Sequence, residues 1–539
     1  MPHNEPALGV SLSLTPYTGQ WTKAEAGHLL RRTTFGATNQ EVLDAVANGM
    51  GATVTSLLQI PAIGDPLSFH PDETIVAPGQ TWINAVYPSN QVDAVTVSGA
   101  RQMSFGAWLM ERINNESLTI AEKICLFWHN HFSATPSVDM RAGYDYHMLL
   151  RSYALGDFKQ MVKDVTVDPC MLIFLNGATN NVFSPNENYA RELLELFTIG
   201  KGPQIGPGDY TNYTEDDIAE AAKILTGYYV DGLLSDTLTS VSAIYNDLLH
   251  DQTTKTMSSK FGGAVITNNG ANEYADLIDV IFQQNEVANH ICRKLYRYFV
   301  NYDLTATVES TVITEMANTL ILNNYQILPV LSELFQSEHF YDISVRGALI
   351  KGPLDMLYSM LNSCDSQPAF NLATDSEMRL NVYWYSESLG QAYAMPPSVA
   401  GWPAYYQEPS FSKLWVNATF IKSRFDASLW MTIGAGIAVN GDNWKVDALH
   451  VLDNLSNPND YNVVIDDLAD IFCPKGLTAA QKLTLASILT GGLLSLTDWQ
   501  MEYSLYLANI GDPVYEDPIR LRMEMTLSRL FQMPEFHTM

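Results

Sequence analysis

The sequence is short of positive charge. Its 539 residues include 30 Lys and Arg against 59 Asp and Glu, a formal net charge of −29. No Lys/Arg cluster interrupts this acidic balance along the chain, so phosphate backbones and anionic membranes are poor partners. A cation, a metal or a basic protein suits it better. Cysteine is scarce: Cys125, Cys170, Cys292, Cys364 and Cys473 are odd in number, far apart and without a CxxC pair. That pattern argues against a zinc ribbon and against a disulfide scaffold. Long apolar runs are absent too. The best, Leu483 to Leu496, is broken by Thr, Ser and paired Gly and is too short to span a bilayer. The opening Met-Pro-His-Asn-Glu-Pro has no basic n-region and no apolar h-region. No secretory signal is therefore expected, and a cytoplasmic location is the default, with export alongside a signal-bearing partner left open. There is no Gly-rich phosphate loop and no Gly-x-Ser-x-Gly elbow, which weakens nucleotide-binding and serine-hydrolase readings.

What is present is a globular composition, 47% hydrophobic and 17% charged. The 27 Tyr and 10 Trp read first as core. Helical spacing dominates, and the expected fold is mainly α, a large multi-helix domain with a small β-hairpin or sheet excursion at 228–268. We divide the chain into an N-terminal arm (1–20), a helical core (21–420) with a long loop at 61–98, and a C-terminal helical part (421–539) packed on the same core. Capping boxes start helices at Thr22/Glu25, Thr38/Glu41, Thr119/Glu122 and Thr478/Gln481, and Thr214 caps another.

The stretch from Ser184 to Gly200 organises the chain. It reads as one short helix with Ser184 as N-cap, Glu187 closing a capping box, and Gly200 at the left-handed C-cap. Tyr189, Leu193, Leu196 and Phe197 form its apolar stripe. Glu187, Arg191 and Glu195 are i,i+4 neighbours, with Glu192 beside them. Glu192 and Glu195 share a face, so with a histidine from another helix they could form a carboxylate-bridged centre, with Arg191 alongside. The bland alternative has Glu187 capping, Arg191 pairing with Glu195, and Glu192 bonding a neighbouring backbone.

The histidines offered are His129 and His131, in Phe127-Trp-His-Asn-His-Phe132. Imidazoles are the commonest transition-metal ligands. On a helix, positions i and i+2 point about 200° apart, so both could reach one divalent transition-metal ion only if the helix stopped between them. Pro136 is the residue expected to stop it. His250-Asp251 with Lys255 is a third candidate, an oriented base. The loop Pro396-Pro-Ser-Val-Ala-Gly-Trp-Pro403 and the region after it offer Trp402 and Trp415, as stacking platforms or as packing.

Taken together, several phrases resemble one family. They are Ala26 to Gly36, Phe127 to Phe132, Asn186 to Gly200, Tyr213 to Asp217, His250-Asp251, Leu295 to Val300, Pro396 to Pro403, and the closing Pro534 to Met539. The ordered set, over roughly 20–420, is similar to the bacterial family called domain of unknown function 1800. The resemblance implies a mainly helical bacterial protein whose gene neighbours often encode exported sulfatase-like proteins. It names no reaction. Many relatives carry a histidine where this chain has Phe197, which weakens a metal model using that position. Two functions follow as expectations. One is a metal-assisted hydrolase or oxidoreductase with His129, His131, Glu192 and Glu195 around one centre. The other is a non-enzymatic envelope or secreted partner protein acting with a sulfatase-like neighbour.

Overall fold

Thr22, Thr38, Thr214 and Thr478 each start a helix with a closed capping box, satisfying two orphan N–H groups apiece. The computed structural model of the chain describes residues 13–115, 117–135 and 138–539. Residues 1–12 of the expected arm, and Pro136, lie outside that range. The architecture is mainly α, with short two-stranded antiparallel sheets. The excursion holds two of these: Tyr228–Asp231 with Ser242–Tyr245, and Lys255–Thr256 with Val265–Ile266. Two further hairpins, Gln204–Gly206 with Asp209–Tyr210 and Ile437–Val439 with Asp442–Trp444, escape a periodicity reading because their strands are only two or three residues long.

Several boundaries differ from expectation. The loop begun at Pro61 ends at Asn90, because Gln91 already opens the long helix Gln91–Asn115. Thr119 accepts the Ala121 N–H at 3.4 Å. The helix Ala121–His131 starts without a side-chain cap bond from its N-cap Ile120, and Glu122 turns inward to Arg151. The apolar run after Asp168-Pro169 is a short helix, Pro169–Phe174, capped by Asp168.

Two apolar cores are built side by side. One gathers Leu29, Trp128, Phe158, Phe197, Leu295 and Phe335 from the first two-thirds of the chain. The other joins Trp108, Leu357 and Trp402 to Leu468, Trp499 and Phe531. The C-terminal helices thus share a core with helices that precede residue 420. Tyr405 packs against both cores and marks the seam between them. Among the described residues no helix is long and apolar enough to cross a membrane.

Candidate functional site

The central stretch folds differently from a single capped helix. Asn186, not Ser184, is the N-cap, its side chain accepting the Asn188 N–H at 2.9 Å. The α-helix Glu187–Glu192 then widens into a π-helical turn, Leu193–Phe197. Widening leaves late carbonyls without helical partners. Three basic side chains take them. His290 Nε2 lies 3.1 Å from the Leu196 carbonyl, Lys294 Nζ donates to the same oxygen at 2.8 Å, and His131 Nε2 lies 3.1 Å from the Phe197 carbonyl. Gly200 closes the turn at φ +73°, and a β-carbon there would meet the His290 ring at 2.7 Å.

The polar row faces elsewhere. Arg191 pairs with Glu187 and Glu215, not with Glu195. Glu195 accepts from Tyr213 at 3.0 Å and pairs with Lys201. Glu192 is half-buried, and its carboxyl pKa is raised by burial and by Glu195 beside it. His131 does reach this element, but at its backbone. Its Nδ1 is 3.1 Å from Lys294 Nζ, so both ring nitrogens are engaged. Burial, and then the Lys294 charge, hold His131 neutral.

His129 goes the other way, as a 200° separation requires. Its Nε2 meets His147 Nδ1 at 3.3 Å, with Tyr146 and Tyr393 edge-on to its ring. Burial lowers its pKa to about 3. His129 and His131 therefore share no hydrogen-bond partner with each other or with Glu195. Among the described residues, no group of three or more His, Cys, Asp and Glu side chains is placed to hold an ion. His250 is oriented by Glu273 at 2.9 Å, not by Asp251, and Lys255 binds the other oxygen of the same carboxylate. Burial alone would lower the His250 pKa, but the Glu273 hydrogen bond and the Thr226 carbonyl raise it. This cluster is sealed: His250, Glu273 and Lys255 are all buried. Trp402 is 1% exposed and packs in the core, so it offers no face to a ligand, whereas Trp415, also buried at 4%, lines a cleft.

That cleft lies at the seam of the two cores. It is narrow, with about 20 Å³ of free space, and is walled by Tyr298, Tyr405, Phe411 and Trp415, with Lys123 and Asp355 at its polar end. Asp355 stands in the first turn of the helix Pro353–Leu361, where its Oδ2 accepts the Gly352 N–H at 3.2 Å. Its Oδ1 is paired with the Lys123 ammonium. Lys123 sits in the first turn of the helix Ala121–His131 among apolar neighbours, its Nζ also 4.7 Å from the Phe35 ring centroid. Burial lowers its pKa against the opposing pull of Asp355. The Tyr298 hydroxyl donates to the Lys123 carbonyl at 3.0 Å. On its other side, Asp355 lines a second, smaller cleft, with about 10 Å³ of free space, together with Arg31, Lys351 and Ser359.

Four of the segments that carry the family resemblance meet here: Arg31 to Gly36, Arg297-Tyr298, the loop running into Ala404-Tyr405, and Phe536 with Met539. Lys123, Asp355 and Lys351 escape a motif reading because each lies in an otherwise unremarkable stretch. The signal that could have found them is a charged residue on an apolar helix face (Lys123) and a Gly-Pro-x-Asp helix start (Gly352 to Asp355).

Neither the curated proteins nor the solved structures include a match to this chain. One family model does match, over residues 28–538, so the likeness extends past residue 420 and takes in the C-terminal helices. The chain belongs to the family described as protein of unknown function (DUF1800).

Proposed function

We propose that the protein binds a small ring-bearing or apolar-bodied ligand in the aromatic cleft, whose walls part to admit it, with Asp355 as the proton-accepting group at its inner end. The observation that carries this reading is the buried Lys123–Asp355 pair opening into a cleft walled by Tyr298, Tyr405, Phe411 and Trp415. Ligand pockets are mostly apolar with a few convergent polar groups, and a buried carboxylate is a natural general base. Lys123 holds that carboxylate in place. Screening small molecules by thermal shift, followed by calorimetry on Trp415→Ala and Asp355→Asn, tests the reading. Hits that lose affinity in Trp415→Ala support it. Hits that bind Trp415→Ala as well as the wild type move the site elsewhere.

The second reading, a partner protein acting with a sulfatase-like neighbour, is favoured by one observation. Leu493, Met501, Leu507, Ile510, Val514 and Leu521 are all solvent-exposed on the C-terminal helices and their connecting turns. Isolated exposed apolar residues are ordinary, but so many on helices that pack together are not. Co-expression with the neighbouring sulfatase-like protein is expected to give a complex that Met501→Glu with Ile510→Glu dissolves. Two separately eluting proteins would remove this reading.

A further inference from the structure

A third cleft lies between the helix Gln91–Asn115 and the helix Leu372–Ser388. Trp108 and Glu111 face it from the first. Leu372, Asp375, Ser376 and Arg379 face it from the second, at i, i+3, i+4 and i+7, the spacing of one helix face. Leu67, from the loop that begins at Pro61, adds to the wall. This cleft has about 140 Å³ of free space, against about 20 Å³ in the aromatic cleft, and shares no lining residue with it.

Arg379 is 7% exposed, yet its guanidinium is unused. Its Nε is sealed from solvent without a partner, and among the described residues neither Nη makes a hydrogen bond or an ion pair. Ser376, one turn earlier and 9% exposed, makes no hydroxyl hydrogen bond either. A guanidinium has five N–H donors and cannot shed its proton to escape burial, so leaving it unpaired is unfavourable. Elsewhere in the fold buried arginines are paired, Arg101 with Glu73 and Arg141 with Asp139.

Two carboxylates line the same cleft, and neither is engaged by Arg379. Asp375 Oδ1 accepts the Phe370 N–H at 2.8 Å, and Glu111 Oε1 lies 3.1 Å from Arg112 Nη2. Asp375 Oδ2 and Glu111 Oε2 have no hydrogen bond among the described residues. A simple anion entering here would meet both carboxylates, and a simple cation would meet Arg379. A small ligand that carries both charges meets neither penalty. The remaining wall is apolar: the Trp108 N–H is already donated to the Gly64 carbonyl at 2.8 Å, and Leu67 and Leu372, each 41% exposed, carry the apolar surface out to the solvent.

We propose that this cleft binds a small zwitterion of the α-amino acid class with an apolar side chain. The Arg379 fork and the Ser376 hydroxyl take its carboxylate, Asp375 and Glu111 take its ammonium, and its side chain lies against Trp108 and the two leucines. Where one water needs roughly 10–15 Å³, 140 Å³ of free space admits a ligand of about ten non-hydrogen atoms. With no residue in common, this site and the aromatic cleft stand or fall separately.

The test is isothermal titration of the full chain with leucine, methionine and phenylalanine, and with the N-acetyl acid and the amide of each. The wild type is expected to bind at least one of the three amino acids with Kd below about 1 mM. The N-acetyl acid, which keeps only the carboxylate, and the amide, which keeps only the ammonium, should each bind about tenfold more weakly or worse. Arg379→Met and Ser376→Ala should weaken binding of the amino acid, and Lys422→Gln, an exposed control, should leave it unchanged. Because the guanidinium is unpaired, ligand-free Arg379→Met should resist urea at least as well as the wild type. No heat from any of the three amino acids overturns the proposal. An N-acetyl acid bound as tightly as its parent, or undiminished binding in Arg379→Met, does the same. So does an Arg379→Met protein that unfolds at clearly lower urea, since the guanidinium would then be serving the fold.

Discussion

The backbone carbonyl of Asn130 lies 2.6 Å from where a β-carbon on Gly401 would stand, and Asn130 Oδ1 accepts the Trp402 N–H at 2.9 Å. Two segments of the family resemblance, 127–132 and 396–403, are thereby pressed together, with the carbonyl and side-chain oxygens of Asn130 occupying the space a β-carbon would need. Gly401 also has φ +85°. Its replacement meets two obstacles: the left-handed backbone, which costs an L-residue roughly 1–2 kcal/mol, and a collision with main-chain atoms that cannot swing away. Gly441, at φ +95°, has nothing within 4 Å and meets only the first. Gly401→Ala should therefore lower the urea midpoint clearly more than Gly441→Ala. Equal shifts would show that the Asn130 contact is not tight.

The Lys123–Asp355 pair should respond asymmetrically to truncation. Removing one partner of a buried pair typically costs about 3–5 kcal/mol because the other charge is left uncompensated. Here Asp355 still has Arg32 and Lys351 in its field after Lys123→Met, whereas Asp355→Asn strands several cations at once. Chemical denaturation should show Asp355→Asn as the more destabilised variant. The opposite order would mean that the surrounding cations do not feel this carboxylate.

Burial lowers the Lys351 pKa to about 7. The unfolded chain, near the ordinary lysine value, then binds more protons than the folded one between about pH 7 and pH 10.5. Stability contributed through this group rises with pH across that window, by about 1.4 kcal/mol per unit at most. Lys294, also lowered to about 7, acts in the same direction. Wild type should gain on Lys351→Met as pH is raised from 7 to 10, which parallel urea titrations can follow. A constant gap between the two proteins contradicts a buried Lys351 amine.

Acid should unfold the protein through its histidines. Burial holds the His129, His290 and His537 pKa values down to about 3, with neighbouring cations adding to the effect at His290 and His537. These groups are neutral in the fold but protonate near 6.5 once exposed. Stability is therefore lost progressively as pH falls from about 6.5 toward 3, by about 1.4 kcal/mol per unit for each such group. Circular dichroism against pH should show a cooperative loss of helix within that range. Full helicity at pH 3.5 would place these imidazoles in contact with water.

His131 gives a sharp result on metal content. Its Nδ1 faces Lys294 Nζ and its Nε2 faces the Phe197 carbonyl, so neither nitrogen is spare for an ion. Elemental analysis should find the same metal content in wild type and His131→Ala, while the variant melts earlier because the Phe197 carbonyl is left without that partner. Metal lost only in the variant would restore His131 as a ligand.

The chain's local rules determined much of this molecule. Thr22, Thr38, Thr214 and Thr478 cap their helices because a capping box needs only four consecutive residues. Gly200 adopts a positive φ because a helix end that bends its N–H back onto a carbonyl six residues earlier, here Leu194, needs a left-handed residue. The opposite headings of His129 and His131 were legible from the helical period alone. The wide turn at Leu193–Phe197 was not, because its cause lies about a hundred residues further on, in His290 and Lys294 that take the freed carbonyls. The same holds for the site around Asp355. Along the sequence no basic cluster exists, but folding brings Arg31, Arg32, Lys123, Lys351 and Arg424 around one carboxylate from three separate helices and one helix start. Such gathering depends on where two cores meet. That is decided by the packing of whole elements and not by the spacing of residues within any one of them.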